Sequence, residues 1–482
     1  MNFSVRCLVF SGGLAILSPF SMVSFAAENS TSVSTTNAQV LDWETGANKS
    51  YAIPSFEVPA FLTALNLFNR NFLDHETYGT TPRSVWRNAK TLSLEYDDDP
   101  FQVNQFGHPT EGAIMYGISR STGQGFWTSL AYADAGSFLW EVGGETGKAS
   151  FNDLITTGQA GSLFGETMFR IASYILERGG RHPAWWREAS AGVLMPSLEF
   201  NRWIHGERFK PIFPSHDPAV FWQAQLGVSA DDRVRDNTVF STVKRQEAVM
   251  NFLFAYGLPG RGRYRYERPF DYFQLEVGGM TSAHTHNWLD HLFIRGLLWG
   301  KEYDSGDNYS GVFGVYGSYD YASPQVFRVS STAASLGTTF QWWLAPETVA
   351  QGSLLAGVGF AGAGTNPIKG LRDYHYGVDP QGLASLRIIF RDRAMLEFVG
   401  RGYYISGTGS DDLLGTETIA TGKAGIVFRV GGRHALGLQY VASHRYSIYN
   451  GFRPTEHQSV GTFSLTYSFL SDERFGALGA HR

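Results

Sequence analysis

The chain is poor in cysteine and in charge, and beyond its N-terminus it has no long hydrophobic run. Its single cysteine is Cys7. That residue sits in a segment laid out as an export signal: Arg6, an apolar stretch from Cys7 to Val23, then the small-residue site Ser24-Phe25-Ala26. Cleavage is expected after Ala26, with Ala27 as the next site, which makes 1–26 a signal peptide. Cys7 does not occupy a lipoprotein-type cleavage site. The mature chain then holds no thiol, which excludes disulfides, a Cys nucleophile and Cys-based metal binding. Asp, Glu, Lys and Arg make up 17% of the 482 residues, against roughly 25% in soluble domains. The formal charge of −5 becomes −6 once Arg6 is removed. Such a balance lacks the basic surface that nucleic-acid binding uses. No run of about 20 apolar residues follows the signal, which argues against a bundle of membrane helices.

What the chain does have is glycine and aromatic residues. Gly numbers 55, and Phe, Trp and Tyr together reach 15%. A chain this apolar buries a core, so disorder is excluded. Its hydrophobicity is dispersed, as alternation along strands would make it.

Two regions differ in period. Residues 27–50, rich in Ser and Thr, read as a flexible linker. Residues 51–210 read as a helical domain. Phe61, Leu65, Phe68 and Phe72 recur at helical spacing. Further helices are expected over Pro109–Arg120, with Pro at the start, over Phe126–Glu141, over Asn152–Glu177 and within 183–205. Gly158, Gly161 and Gly165 would let another helix approach closely.

From about residue 218 the period becomes two. Leu436, Leu438 and Tyr440 alternate with Gly437, Gln439 and Val441; Phe463, Leu465, Tyr467 and Phe469 alternate with Ser464, Thr466 and Ser468. Twelve strands are expected, over 218–229, 246–257, 270–280, 290–302, 311–322, 326–343, 348–362, 381–392, 394–405, 416–430, 434–446 and 459–469. Most reach the 9–11 residues that cross a hydrocarbon core. Tight turns at 391–393 and 431–433 sit between long connections at 363–380, 406–415 and 447–458, the alternation of an outer-membrane barrel. The 258–269 connection is long where a short one is expected. The fold class is therefore α+β: an N-terminal helical domain, then a transmembrane antiparallel β-barrel over 211–470. Tyr467 and Phe469 suit a terminal strand that meets the barrel-assembly machinery, though residues 471–482 follow as a tail.

A polar set interrupts the apolar helical region. It comprises the Asp97-Asp98-Asp99 run, Gly107-His108-Pro109, Trp140-Glu141, Gly144-Glu145, Ser150-x-Asn152-Asp153 and Gly165-Glu166, with Arg170 a turn further on. His108, Glu141, Glu145 and Asp153 are the candidate catalytic residues: a histidine as general base, oriented by a carboxylate. The same carboxylates could hold a hard cation, although no metal-site or cofactor motif is present. The plainer reading, which the residue types favour, is that they are helix caps and intradomain ties. In the barrel, Arg295, Arg387, Arg391, Glu397, Arg401, Lys423 and Arg429 fall on the polar face. They are candidate lumen or ligand residues, or simply lumen filling. Arg261, Arg263 and Arg265 alternate with tyrosines, as at a membrane interface.

The segments Asn104-Gln105-Phe106-Gly107-His108-Pro109, Gly125-Phe126-Trp127, Trp140-Glu141, Gly144-Glu145, Asn152-Asp153-Leu154 and Gly165-Glu166 resemble a bacterial family of exported envelope proteins of unknown function. That family has a helical N-terminal part and a strand-rich remainder. The resemblance covers roughly residues 60–205. It implies outer-membrane association and brings no established activity. The strand-rich half resembles outer-membrane barrels in pattern only. Together these readings lead to an outer-membrane barrel that passes or handles an envelope solute or lipid, with outer-membrane lipid as its surroundings. The helical domain would lie in the periplasm or in the lumen. A lipid-directed hydrolase built on His108, and a structural envelope protein, are the alternatives.

Overall fold

The computed structural model describes residues 49–91, 94–97, 99–206, 215–236, 244–281, 288–305, 308–324, 326–365, 374–407, 415–449 and 455–479. The expected signal peptide, most of the expected linker and Asp98 lie outside them. The chain divides into two units, Met1–Ser215 and His216–Arg482.

The first unit is helical: α1 (Ala52–Phe72), α2 (His75–Tyr78), α3 (Pro82–Thr91), α4 (His108–Ser121), α5 (Phe126–Gly143), α6 (Phe151–Asp153), α7 (Gly161–Glu177), α8 (Trp185–Leu194) and α9 (Pro196–Ile204). Two wide π-helical stretches, Val103–Gly107 and Leu154–Ala160, run into α4 and join α6 to α7. On α1 the buried stripe is Pro54, Val58 and Leu62, while Phe68 and Phe72 are exposed. Of the expected stripe, Phe61 and Leu65 pack against this core and its continuation at Phe68 and Phe72 does not.

Helix α4 is the axis of the unit and is buried on almost every face. Its neighbour α7 lies backbone to backbone against it. A Cβ on Gly112 would stand 1.7 Å from the Thr157 carbonyl oxygen, and one on Gly161 would stand 2.7 Å from the Gly112 Cα. Gly165 likewise leaves room for Tyr116. Where the two helices meet, Glu166 is fully buried and saturated. Arg120 donates to both its oxygens, at 2.7 and 3.0 Å, Arg170 Nε at 2.7 Å and the Tyr116 hydroxyl at 2.8 Å. The Glu166–Arg170 pair expected from its spacing is thus half of a larger knot.

The second unit is a closed antiparallel barrel. Its strands are β1 (Val220–Asp236), β2 (Gln246–Tyr256), β3 (Phe273–Thr281), β4 (Leu289–Ser305), β5 (Tyr309–Ala322), β6 (Phe327–Ala345), β7 (Thr348–Thr365), β8 (Tyr374–Phe390), β9 (Ala394–Ser406), β10 (Gly415–Gly431), β11 (His434–Tyr449) and β12 (Glu456–Leu470). Each pairs with its sequence neighbours, and β12 closes on β1 in a register that sets Leu226 against Tyr467. The twelve expected strands are all present. The largest boundary differences are at β1, which runs on to Asp236, and at β8, which starts at Tyr374 and runs through Pro380. A proline reads as a strand break because it cannot donate to the ladder.

The chain enters and leaves the barrel at one end, where connections such as 346–347, 391–393 and 432–433 are tight. Arg391 and Asp392 both take positive φ, as a tight hairpin turn demands. Alternation then sorts the side chains. Leu226, Val228, Leu354, Phe428, Leu436, Leu438, Phe463 and Leu465 point outward and are exposed, Leu354 by 63%. Their cross-face neighbours, such as Ser464, Thr466 and Ser468, are buried inside.

The α4–α7 contact gives a sharp prediction. Gly112→Ala forces a methyl group into the Thr157 carbonyl and is expected to destabilise the helical unit by roughly 3 kcal/mol, the upper range for overpacking. Amide exchange over residues 93–197 of the full chain should report faster opening, and unchanged protection would refute the contact.

Candidate functional site

The helical unit brings together the four residues singled out from sequence. His108 is the first residue of α4, delivered by the π-helical stretch before it, and Asp153 ends α6, where the second π-helical stretch begins. Wide turns of this kind recur at functional sites because they re-aim the residues beside them. His108 Nε2 lies 3.7 Å from Asp153 Oδ1, and its Nδ1 lies 3.9 Å from Glu111 Oε2. His108 and Glu111 are both more than nine-tenths buried. Glu111 was not singled out from sequence, yet it stands one turn beyond His108 on the same helix, a spacing that faces the two together.

Around this pair the other acids are held by local hydrogen bonds. Glu141 accepts from the Ser150 backbone N–H at 2.6 Å, and Glu145 accepts from Trp140 Nε1 at 3.2 Å. Asn152 Nδ2 donates to Asp153 at 2.7 Å, while Asn152 Oδ1 accepts from the Asp97 N–H at 2.9 Å. Ser150 Oγ caps α6 through the Asp153 N–H at 3.3 Å. Ser150, Asn152, Glu141 and Glu145 thus all make intradomain ties, and the same fold gathers the acids around His108. Among the described residues, no group of three or more His, Cys, Asp and Glu has the geometry to hold a metal ion.

Burial and mutual repulsion raise Glu111, Glu141 and Glu145 above the usual carboxyl range. Burial pushes Glu111 up to about 7, with His108 opposing the shift. Burial pushes Glu145 up to about 8, against the pull of His108, and Asp153 adds to the rise. Glu141 rises furthest, to about 10, from burial and the nearby Asp153 and Glu145. Glu166, also buried, moves the other way because Arg120 and Arg170 outweigh its desolvation. Glu166 is thus held as an anion, while a separate group of acids with raised values surrounds a histidine.

The barrel interior carries a second concentration of charge. Glu276 on β3 meets Lys423 on β10 at 2.6 Å, and Lys423 also reaches Glu397 on β9 at 3.3 Å. Arg401 on β9 lies 3.8 Å from both Glu276 and Asp320 on β5, and its guanidinium stacks 3.8 Å above the Phe293 ring. Tyr403 donates to Asp320 at 2.7 Å. The ladder borders a cavity of about 20 Å³, also lined by Gln274, Arg295 and Gln381, with room for about one water. Arg295 donates to Gln274 Oε1 at 2.5 Å. Nearer the far end, Arg445 binds Glu417 with two hydrogen bonds, at 2.6 and 2.7 Å, and Glu456 at 2.8 Å, with His375 3.2 Å from Glu417.

Of the expected lumen residues, Arg295, Arg387, Glu397, Arg401 and Lys423 therefore face the interior. Two others serve elsewhere, Arg391 and Arg429. Arg391 is corrected outright: it sits in the β8–β9 turn, exposed, and pairs with Glu347 of the neighbouring turn at 2.5 Å. The alternation had been carried one residue past the strand end. Arg429 donates to the Asp392 and Gly432 carbonyls at 2.6 and 3.1 Å and so ties two turns together. Arg387 stacks 4.7 Å over Phe221 and donates to the Phe475 carbonyl at 3.0 Å. Arg261 and Arg265 pair with Asp217 and Glu302 at the short-turn end, while Tyr264 between them turns inward.

Residues 93–197 match a domain of unknown function (DUF3943), a stretch that contains the whole acid–histidine cluster. No curated protein matches the chain. Among solved structures, an outer membrane channel from Pseudomonas putida F1 aligns at 10% identity over 52% of this chain and 95% of its own, with a TM-score of 0.29. The toluene transporter TodX of Pseudomonas putida aligns at 9% identity over 53% and 90%, with a TM-score of 0.23. The outer membrane channel DcaP of Acinetobacter baumannii aligns at 7% identity over 53% and 97%, with a TM-score of 0.22. The barrel fold itself rests on the strand pairing of this chain.

The raised carboxyls set a pH dependence with a definite sign. The folded state keeps protons that the unfolded chain releases from its ordinary value of 4.5 upward, so stability falls as pH rises through that window. For Glu111 and Glu145 the loss is complete above about 7 and 8. Opening of the helical unit, followed by amide exchange in the full chain and corrected for intrinsic rates, should increase from pH 5 to pH 9. Glu145→Gln should flatten the profile. A helical unit equally stable at both pH values would show that these acids are ionised throughout.

Proposed function

We propose that the protein is an outer-membrane barrel that passes a small polar solute and is shut in the conformation described here. An apolar exterior over charged and hydroxylated interior side chains is the arrangement that a lipid-embedded, solute-handling barrel requires. In such barrels the short turns face the periplasm, so both ends of this barrel's chain, and the helical unit, are assigned to that side. The outward aromatics Tyr467 and Phe469 on β12 suit engagement by the barrel-assembly machinery during insertion.

The observation that carries the reading is the ladder of Glu276, Lys423, Glu397, Arg401 and Asp320 across the lumen. Buried ion pairs are a poor way to fill a barrel for stability alone. Apolar packing of the same volume is often as stable or more so. A purely structural protein has little use for such a lining. Ion pairs on flexible side chains, by contrast, can part and re-form around a passing solute, and their sign selects what enters. Removing Lys423 leaves Glu276 and Glu397 facing the path together.

A second reading, a lipid-directed hydrolase in the helical unit, is favoured by one observation: His108 stands between the carboxyl groups of Asp153 and Glu111, at 3.7 and 3.9 Å. It predicts that His108→Ala and Glu141→Ala change the lipid composition of the envelope in cells. An unchanged profile removes that reading and leaves the passage reading intact.

The passage reading is tested in planar bilayers. The purified full chain should give discrete, infrequent conductance steps, and Lys423→Gln should shift the reversal potential under a salt gradient towards cation selectivity. A silent wild-type chain at all voltages, or a reversal potential that Lys423→Gln does not move, contradicts it.

A further inference from the structure

We infer that residues 471–479, the segment that follows the last strand, are a removable stopper of the short-turn mouth. This inference rests on the passage reading, because a stopper has meaning only where something passes. Sequence alone left these residues as a tail beyond the barrel. In the structure they turn back into it and cross it.

The path is specific. The Ser471 N–H donates to the Trp222 carbonyl on β1 at 2.8 Å, which anchors the segment beside its own strand. Asp472 Oδ1 then accepts from the Arg474 and Gly476 N–H groups at 2.8 and 3.0 Å, folding the chain into a tight loop. Phe475 at its tip takes φ 53° and is fully buried. Its ring belongs to an apolar cluster that includes Phe221, Leu258, Tyr272 and Leu355.

The far side of that loop is held by the opposite wall. Gln351 on β7 donates to the Gly476 carbonyl at 3.0 Å, and Gln341 and Trp343 on β6 donate to the Leu478 carbonyl at 2.8 Å each. The Leu478 N–H returns a bond to Gln341 Oε1 at 2.9 Å, and Arg387 on β8 holds the Phe475 carbonyl. In the closed strand order β6 stands diametrically opposite β12. A segment that leaves β12 and is bonded to β6 spans the mouth.

Two features make it a stopper and not a wall. The barrel closes without it, since β12 pairs with β1 from Gln223 to Asp236 and with β11 along its length. The contacts to the opposite wall are hydrogen bonds from side chains to the tail backbone, not strand pairing. Gly476 and Gly479 lie on either side of the Leu478 anchor with φ of 79° and 107°, and as glycines they leave the backbone there the freedom to swing. The long connection between β2 and β3 completes the closure on the entry side. Its Leu258 lies in the same cluster as Phe475, with Tyr266 packed against it. That accounts for a long connection at the end where the others are short.

The test uses a mature chain that lacks cysteine. A single thiol is placed at Leu383→Cys, in the lining of the lumen cavity, and its modification by a charged methanethiosulfonate reagent is timed in detergent. Removing residues 472–482 should speed the reaction at least tenfold and raise the frequency of conductance steps. The full-length Gln341→Ala/Gln351→Ala/Phe475→Ala chain should do the same. Heat-modifiable migration on gels reports whether the barrel is still folded. Equal modification rates with and without the segment overturn the inference. So does loss of the folded barrel in both variants, which would make the segment part of the core. Faster modification with no conductance in any chain upholds the stopper and sinks the passage reading, so the two failures are distinguishable.

Discussion

Glu276 and Lys423 meet at 2.6 Å from strands that are not neighbours in the sheet. That contact depends on the constraint that shapes the whole second unit. Each strand must face two different surroundings, and the period of two assigns alternate residues to each. Once Leu438, Phe428 and their like are turned outward, the intervening residues have nowhere to go but a narrow interior. Charges placed there must find partners within the lumen, on a neighbouring strand or across it, because leaving one unpaired is costly. The ion ladder, the Arg445–Glu417 pair and the apolar closure around Phe475 are three solutions to this one problem at successive levels of the barrel.

The helical unit solves a related problem differently. Its centre is too crowded for side chains where α4 and α7 cross, so glycine occupies the contact and the backbones touch. Polar groups buried beside that contact take one of two forms. Glu166 keeps its charge because two arginines surround it. Near His108, burial instead raises Glu111, Glu141 and Glu145 towards their protonated forms. Two π-helical stretches border this second group. Without them a regular helix would aim His108 and Asp153 along other faces.

Much of this was legible in the residues. The alternation from Leu436 to Val441, and from Phe463 to Phe469, gave both the strand positions and the outward face, since parity survives folding unchanged. The local spacing from Trp140 to Asp153 placed the acids near one another, and His108 preceding Pro109 marked a helix start. Other features were not legible, for physical reasons. Glu111 was hidden because an acid in the first turn of a helix has a ready electrostatic explanation. Cross-lumen partners depend on barrel stagger, which strand sequences do not state, so Glu276 and Asp320 went unremarked. Pro380 disguised the start of β8. The segment after Leu470 is too short and too mixed to announce that it folds inward.

The central claim is that this barrel presents one face to lipid and the other to a closed polar interior. Spin labels at successive positions from Leu436 to Val441 on β11, in the reconstituted full chain, test it most directly. Accessibility to oxygen, which concentrates in the bilayer, should be high at Leu436, Leu438 and Tyr440 and low at Gly437, Gln439 and Val441. A profile without that alternation, or one in which a water-soluble nickel chelate reaches Leu436, Leu438 and Tyr440 best, would contradict the account.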